Sequence, residues 1–186
     1  MTGGGHVAVE RLVEYWLGEL DDDAVDAIDA HLLGCDACGA ELDALIALAG
    51  GVRGAFAEGR VTGFVTADFI ERLRQRGVRV REYRVAQYGA VNCSVSPEDD
   101  LLVGRLQAPL EGVDRVDAEL QLSLQDGPLR LEDVPFDARS GEVLLVPKLS
   151  EVRQMPAHVL RVRLLAVASG GTREIGRYTL NHRPWS

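Results

Sequence analysis

The hydrophobic period of this chain changes once, near Val78, and the two halves cannot belong to one kind of layer. From Val7 to about Phe56 apolar residues recur at the spacing of one helix face. Leu12, Val13, Trp16, Leu17 and Leu20 form one stripe, and Val25, Ile28, Leu32 and Leu33 form a second. Leu42, Leu45, Ile46, Ala49, Val52 and Phe56 form a third, so three helices are expected. The acidic run Asp21–Asp23 is placed to cap the second helix, where free N–H groups and the helix dipole favour a carboxylate. Gly50 and Gly51 predict that the third helix bends or ends there, because glycine is a poor helix former.

Beyond a connecting stretch, EGRVTGFVT, the segment TADFIERLRQRG predicts one short helix ending at Gly77. From Val78 onward the period becomes two. VDAELQLSLQ alternates without a break, with Val116, Ala118, Leu120, Leu122 and Leu124 on one face and polar residues on the other. Further strands are expected at 78–86, 90–95, 101–107, 129–132, 142–147, 159–168 and 173–181, separated by turn-rich pieces such as SPEDD. The expected fold is therefore α+β in two domains. A small helical bundle spans 1–58, a linker and short helix 59–77, and an antiparallel β-sandwich or barrel of about eight strands 78–186. The terminal GRYTLNHRPWS is expected either to cover an end of the β-domain or to fray.

With 186 residues and 46% of them hydrophobic, the chain has the composition of globular protein. Its longest apolar run, around ALIALAGGV, is far shorter than the ~20 residues a bilayer span needs. No basic start followed by an apolar core directs secretion, so a cytoplasmic location is expected. The net charge of −9 is not spread evenly: residues 1–60 hold twelve acids against three arginines, and the remainder holds seventeen of each sign. An acidic helical domain is repelled by phosphate backbones, which excludes direct nucleic-acid binding by that part and favours a basic protein partner.

Only three cysteines and four histidines occur, yet HLLGCDACGAEL puts one histidine and two cysteines within eight residues. The odd cysteine count argues against a disulfide framework and for a reducing compartment. On a continued helix, His31 and Cys35 would share one face, a turn apart. Cys38 follows at the two-residue gap that lets two thiolates reach one ion. A tetrahedral structural zinc site needs a fourth ligand, and His6 at the start of the first helix is the leading candidate. Glu10, Asp29 or an N-terminus left open at TGGG are its competitors. Two buried core cysteines beside a surface histidine are the competing structural explanation.

The first 57 residues resemble the zinc-binding anti-sigma domain of bacterial cytoplasmic regulators. The likeness is carried by YWLGELDDDAVDAIDAHLLGCDACGAEL and by a histidine near the N-terminus. The resemblance implies a zinc ion held by His6, His31, Cys35 and Cys38. It also implies a helical domain lodged between the two DNA- and polymerase-contacting domains of an extracytoplasmic-function sigma factor. Leu45, Ile46, Leu48, Val52 and Phe56 are the residues expected to be left over for that partner. Some relatives use thiolate oxidation as a release switch, whereas others keep an inert zinc. Some also carry a cupin barrel with a second, histidine-held metal. The pattern here departs from that, because His158 and His182 stand apart in sequence with no His-x-His pair, so no second metal site is expected. Nor is there a nucleophile elbow, phosphate loop or dinucleotide fingerprint, and no enzyme is expected. Two rival functions remain at this level: a zinc-stabilised module for a non-sigma partner, and a ligand-binding or enzymatic β-domain with an accessory zinc domain.

Overall fold

The computed structural model describes residues 5–59 and 61–185, and its contacts divide the chain into two compact units, Met1–Gly54 and Ala55–Ser186. The first unit holds α1 (Val9–Leu17), α2 (Asp22–Leu32) and α3 (Asp36–Ala57) up to Gly54, joined by short turns, and the last three residues of α3 count with the second unit. The left-handed Gly18 ends α1, its N–H returning to the Glu14 and Tyr15 carbonyls. Asp21 caps α2 through its side chain, which accepts from the Ala24 N–H at 2.8 Å. Contrary to the expectation from its glycine pair, α3 runs unbroken through Gly50 and Gly51 as far as Ala57. The α-conformation is open to glycine, whose cost of about 1 kcal/mol each is smaller than what tertiary packing overrides.

Among its described residues the second unit contains nine strands and no closed barrel. One sheet has the order β1 (Gly63–Val65), β7 (Glu142–Val146), β4 (Leu101–Gln107), β2 (Val80–Val85). The other has β3 (Ala90–Cys93), β9 (Gly171–His182), β8 (His158–Ala168), β5 (Arg115–Leu122), β6 (Leu129–Leu131). Two features correct the sequence-based expectation. The ninth strand, β1, lies inside the expected linker, and the sheets are mixed, with β2 parallel to β4 and β3 parallel to β9. The connection Ala86–Gly89 carries the chain from one sheet to the other. It includes Tyr88 at φ 58°, a left-handed conformation unusual for a residue with a side chain. The returning strand β4 then aligns with β2 instead of opposing it.

A main core lies between the sheets, built from Leu106, Val143 and Leu145 on one side and Val116, Val162, Leu164, Ile175 and Tyr178 on the other. A second cluster covers the opposite face of the β1-β7-β4-β2 sheet, where Ile70 and Leu73 of α4 (Ala67–Gln75) and Phe56 meet Leu101, Val103, Leu144 and Val146. Burial on both faces explains why β4 and β7 carry apolar residues at successive positions instead of alternating, apart from Arg105 and Glu142. A short helix α5 (Leu149–Val152) and its neighbours Val95 and Leu102 close a third cluster.

Tyr178 is fully buried and donates to the Gln107 carbonyl at 2.7 Å. Gly176, two residues earlier on β9 and beside the register shift between Leu164 and Leu165, lies close against its ring. A Cβ at 176 would stand 2.1 Å from the tyrosine oxygen and 2.6 Å from Cζ. Gly176→Ala is therefore expected to displace the ring and cost about 2–3 kcal/mol, measured by urea unfolding. A cost no greater than that of a surface substitution would show that the ring can yield.

On the outer face of β5, Asp117 has no exposed surface. Burial raises its carboxyl, but Arg130, the Asp133 N–H and Arg115 outweigh that effect and hold it down at about 2. Since the folded value lies below the ordinary one, this contribution is complete above about pH 4 and is lost as the pH falls toward 2. The two arginines are themselves 39% and 44% exposed, so solvent screens the pair. Asp117→Asn is expected to cost about 1 kcal/mol at neutral pH and to flatten the acid limb of a stability–pH curve.

Candidate metal centre

The local sequence builds the site at a helix junction. The α2 helix stops at Leu32 instead of carrying on to Cys35, so His31 and Cys35 do not share one helix as expected. After the turn at Leu33 and Gly34, Cys35 sits immediately before α3, and its carbonyl accepts the Gly39 N–H at 3.1 Å. Cys35 is thus positioned like a capping residue, with its sulfur over the free N–H groups of the first turn. The Cys38 N–H and then the His6 ring favour its thiolate, which brings the thiol down to about 6. Cys38, one turn further on and buried, is pushed up by desolvation, against which the Val7 N–H donates to its sulfur at 3.4 Å.

His6 closes the site from the extended segment before α1. Its Nδ1 lies 3.5 Å from the Cys35 sulfur and 3.7 Å from the Cys38 sulfur. The ligand atoms of His6, Cys35 and Cys38 all lie within 4.8 Å of one another. A tetrahedral ion with bonds of about 2.3 Å to sulfur and 2.0–2.1 Å to nitrogen separates adjacent ligands by about 3.6 Å. The observed spacings match that edge length, and the donor set of imidazole and thiolates suits a soft or borderline ion.

His31, in the last turn of α2, lies outside this set. Its ring still bears on Cys35, favouring the thiolate, and its Nε2 is buried without a hydrogen-bond partner. His31 thus stands beside the Cys35 thiol with a buried nitrogen to spare, without joining the three-residue cluster. Neither alternative fourth ligand joins the cluster: Asp29 accepts from the Tyr15 hydroxyl at 2.5 Å, and Glu10 points from an exposed position on α1. Of the TGGG stretch, Thr2 to Gly4 lie outside the described residues.

Residues 6–39 match a family model described as "Putative zinc-finger". This segment is a match to that zinc-finger family. The matched stretch begins at His6 and takes in His31, Cys35 and Cys38. Among solved structures, the N-terminal domain of phage TP901-1 ORF48 is similar over 58% of this chain and 99% of that one, with 12% identity and a TM-score of 0.38. No curated relative matches the sequence.

Of the residues expected to face a partner, Leu45 is half-buried and Ile46, Leu48 and Val52 are 41%, 66% and 47% exposed. Phe56 is a correction. It is 8% exposed and packs edge-on against Phe69 at 5.4 Å within the second unit, so it belongs to a core and not to a docking face. Cys93 is buried in the main core as its alternation predicted. His158 and His182, expected to be isolated, are cross-strand neighbours whose rings lie 4.8 Å apart. Among the described residues no helix is long and apolar enough to cross a membrane.

Proposed function

We propose that this protein is a cytoplasmic anti-sigma factor whose zinc-stabilised helical unit sequesters an extracytoplasmic-function sigma factor. It acts by binding and not by catalysis, and the β-unit scaffolds or modulates that binding. The observation that carries the reading is the His6, Cys35 and Cys38 cluster inside a segment that matches a zinc-finger family. Zinc is the ion of choice for this donor set, with His31 completing the tetrahedron. The metal pins the start of α1 and the α2–α3 junction together, which fixes the apolar face of α3.

That face supports the reading in a second way. Leu45, Leu48 and Val52 follow one another at helical spacing and share one side of α3, with Ile46 beside them. Exposed apolar residues on an acidic unit suit a partner whose surface combines apolar grooves with a basic rim. Sigma-factor surfaces that meet DNA are basic, so the charge asymmetry of residues 1–60 complements them.

The test is co-expression of the full chain with each sigma factor of its own organism, comparing wild type with Cys35→Ser plus Cys38→Ser. Retention of one sigma factor by wild type alone is expected; retention of none by zinc-loaded protein overturns the proposal. Within a retained pair, Leu48→Glu plus Val52→Glu is expected to weaken binding at least thirtyfold without loss of helical signal, as for central interface residues. Unchanged affinity would move the interface elsewhere.

A further inference from the structure

We propose that the β-unit carries a binding site for a small organic monocarboxylate with a flat apolar body. The site is a cavity of about 350 Å³ lined by Val95, Pro97, Arg153, His182, Pro184 and Trp185. Its size and composition fit a small-molecule site: four apolar residues make up most of the wall, two polar side chains converge on it, and no acidic side chain lines it.

Arg153 supplies the charge. Its Nη2 donates to the carbonyls of Ser96, Pro97 and Asp99, which fixes the guanidinium at the cavity. Carbonyls orient a cation without neutralising it, and Arg153 forms no ion pair among the described residues. Asp100 interacts with Arg153 through the field alone and makes its ion pair with Arg79, at 2.9 Å. With Nη2 engaged, Nε and Nη1 of Arg153 remain as separate donors that point apart, so a carboxylate takes a single charge-assisted hydrogen bond from one of them.

His182 supplies a second unspent group. It is 4% exposed, and no hydrogen bond of ordinary geometry satisfies either ring nitrogen, the Val152 carbonyl making only a loose approach to the ring. Burial and then the neighbouring His158 favour its neutral form and outweigh the opposing pull of the Val152 carbonyl; the neutral ring carries one N–H donor. His158 does not satisfy it, because that ring stacks at 4.8 Å and directs its own Nδ1 to the Pro156 carbonyl at 2.9 Å. One fixed cation plus one neutral donor, walled by apolar surface, matches a single negative charge better than a phosphate.

Trp185 supplies the flat wall. Although it stands next to the chain terminus, it does not fray: the Arg183 N–H donates to the Cys93 carbonyl at 2.9 Å. The Arg81 guanidinium lies 5.3 Å from the indole centroid and is itself anchored to Asp99 at 2.5 Å. With Pro97 and Pro184, the indole offers planar apolar faces against which an aromatic or flat aliphatic body stacks. All these residues lie in the second unit, so the site stands or falls independently of the zinc cluster and its partner.

The experiment is fluorescence titration of the full chain carrying Trp16→Phe, which leaves Trp185 as the remaining one of two tryptophans. Benzoate is the probe and benzamide its neutral counterpart. Benzoate is expected to saturate with a dissociation constant of about 1 mM, and benzamide to bind at least tenfold more weakly. Arg153→Met is expected to weaken benzoate at least tenfold. Because Arg153 also holds its own loop, His182→Phe provides the second variant: it keeps a buried ring beside His158, removes the donor, and is expected to weaken benzoate several-fold. Equal response to benzoate and benzamide, no saturation at concentrations tenfold higher, or full affinity in the folded His182→Phe variant each overturns the proposal.

Discussion

Removing the metal from the full chain is expected to melt the helical unit and leave the β-unit folded. Among the described residues of the first unit only Leu12, Ile28 and Cys38 are fully buried apolar side chains. Burying one such side chain contributes about 1.5–3 kcal/mol, whereas ordering each backbone residue costs about 1–2 kcal/mol. A unit of this size with so small a core does not hold itself together. Structural zinc ligation in small domains contributes about 10–16 kcal/mol at neutral pH, which is larger than any other single interaction available here. Chelation, or Cys35→Ser with Cys38→Ser, should therefore remove most of the helical circular dichroism while the β-unit keeps its own thermal transition. An unchanged spectrum after verified metal removal would show that packing alone suffices.

Arg105→Met is expected to destabilise the β-unit by about 3–5 kcal/mol, the range for removing one partner of a buried ion pair. Arg105 lies on β4 between Glu142 at 2.6 Å and Glu82 at 3.0 Å, and both it and Glu142 are buried. Desolvation opposes the charge on Arg105, and its bonds to Glu142 and Glu82 more than restore it, so the guanidinium stays protonated. Methionine fills the aliphatic volume but leaves buried Glu142 with only the exposed Arg84 at 3.9 Å, whereas Glu82 still reaches Arg74 at 2.6 Å. Adding Glu142→Leu removes the stranded charge, and the double variant should regain more than half of the loss. Urea unfolding of the single and double variants measures both numbers. If the double variant is no more stable than Arg105→Met, desolvation is not the source of the cost.

The parts of the molecule legible in the sequence are those set by local chemistry. Three helices, the cap at Asp21 and the eight strands beyond Val78 follow from period and turn residues, and the structure contains each of them. The His31, Cys35 and Cys38 spacing pointed to a metal cluster because thiolate pairs reach one ion only at a few separations. What escaped depends on how distant pieces meet. The β1 strand is only three residues long, too short for an alternating pattern, and it pairs with β7 far along the chain. The parallel pairs arise because the corner at Ala86–Gly89 changes sheets, which no hydrophobic pattern records. Phe56 continues the apolar stripe of α3 but packs with Phe69 and Val65, so periodicity alone assigned it to the wrong surface. His158 and His182 are brought together by the β8–β9 register, and the cavity beside them is assembled from two separate loops, the end of β9 and the tail. The stop of α2 at Leu32, which turns Cys35 from a helix-face residue into a capping one, is the corresponding miss within the metal cluster.

The central claim is that a single zinc ion gathers four side chains, from the start of α1, the end of α2 and the start of α3. Zinc-edge X-ray absorption on the full chain, with metal content measured on the same sample, tests it most directly. One zinc per chain with two sulfurs at about 2.3 Å and two imidazole nitrogens at about 2.0 Å is the predicted result. A shell of oxygens without sulfur, or protein that folds its helical unit with far less than one zinc per chain, would contradict it.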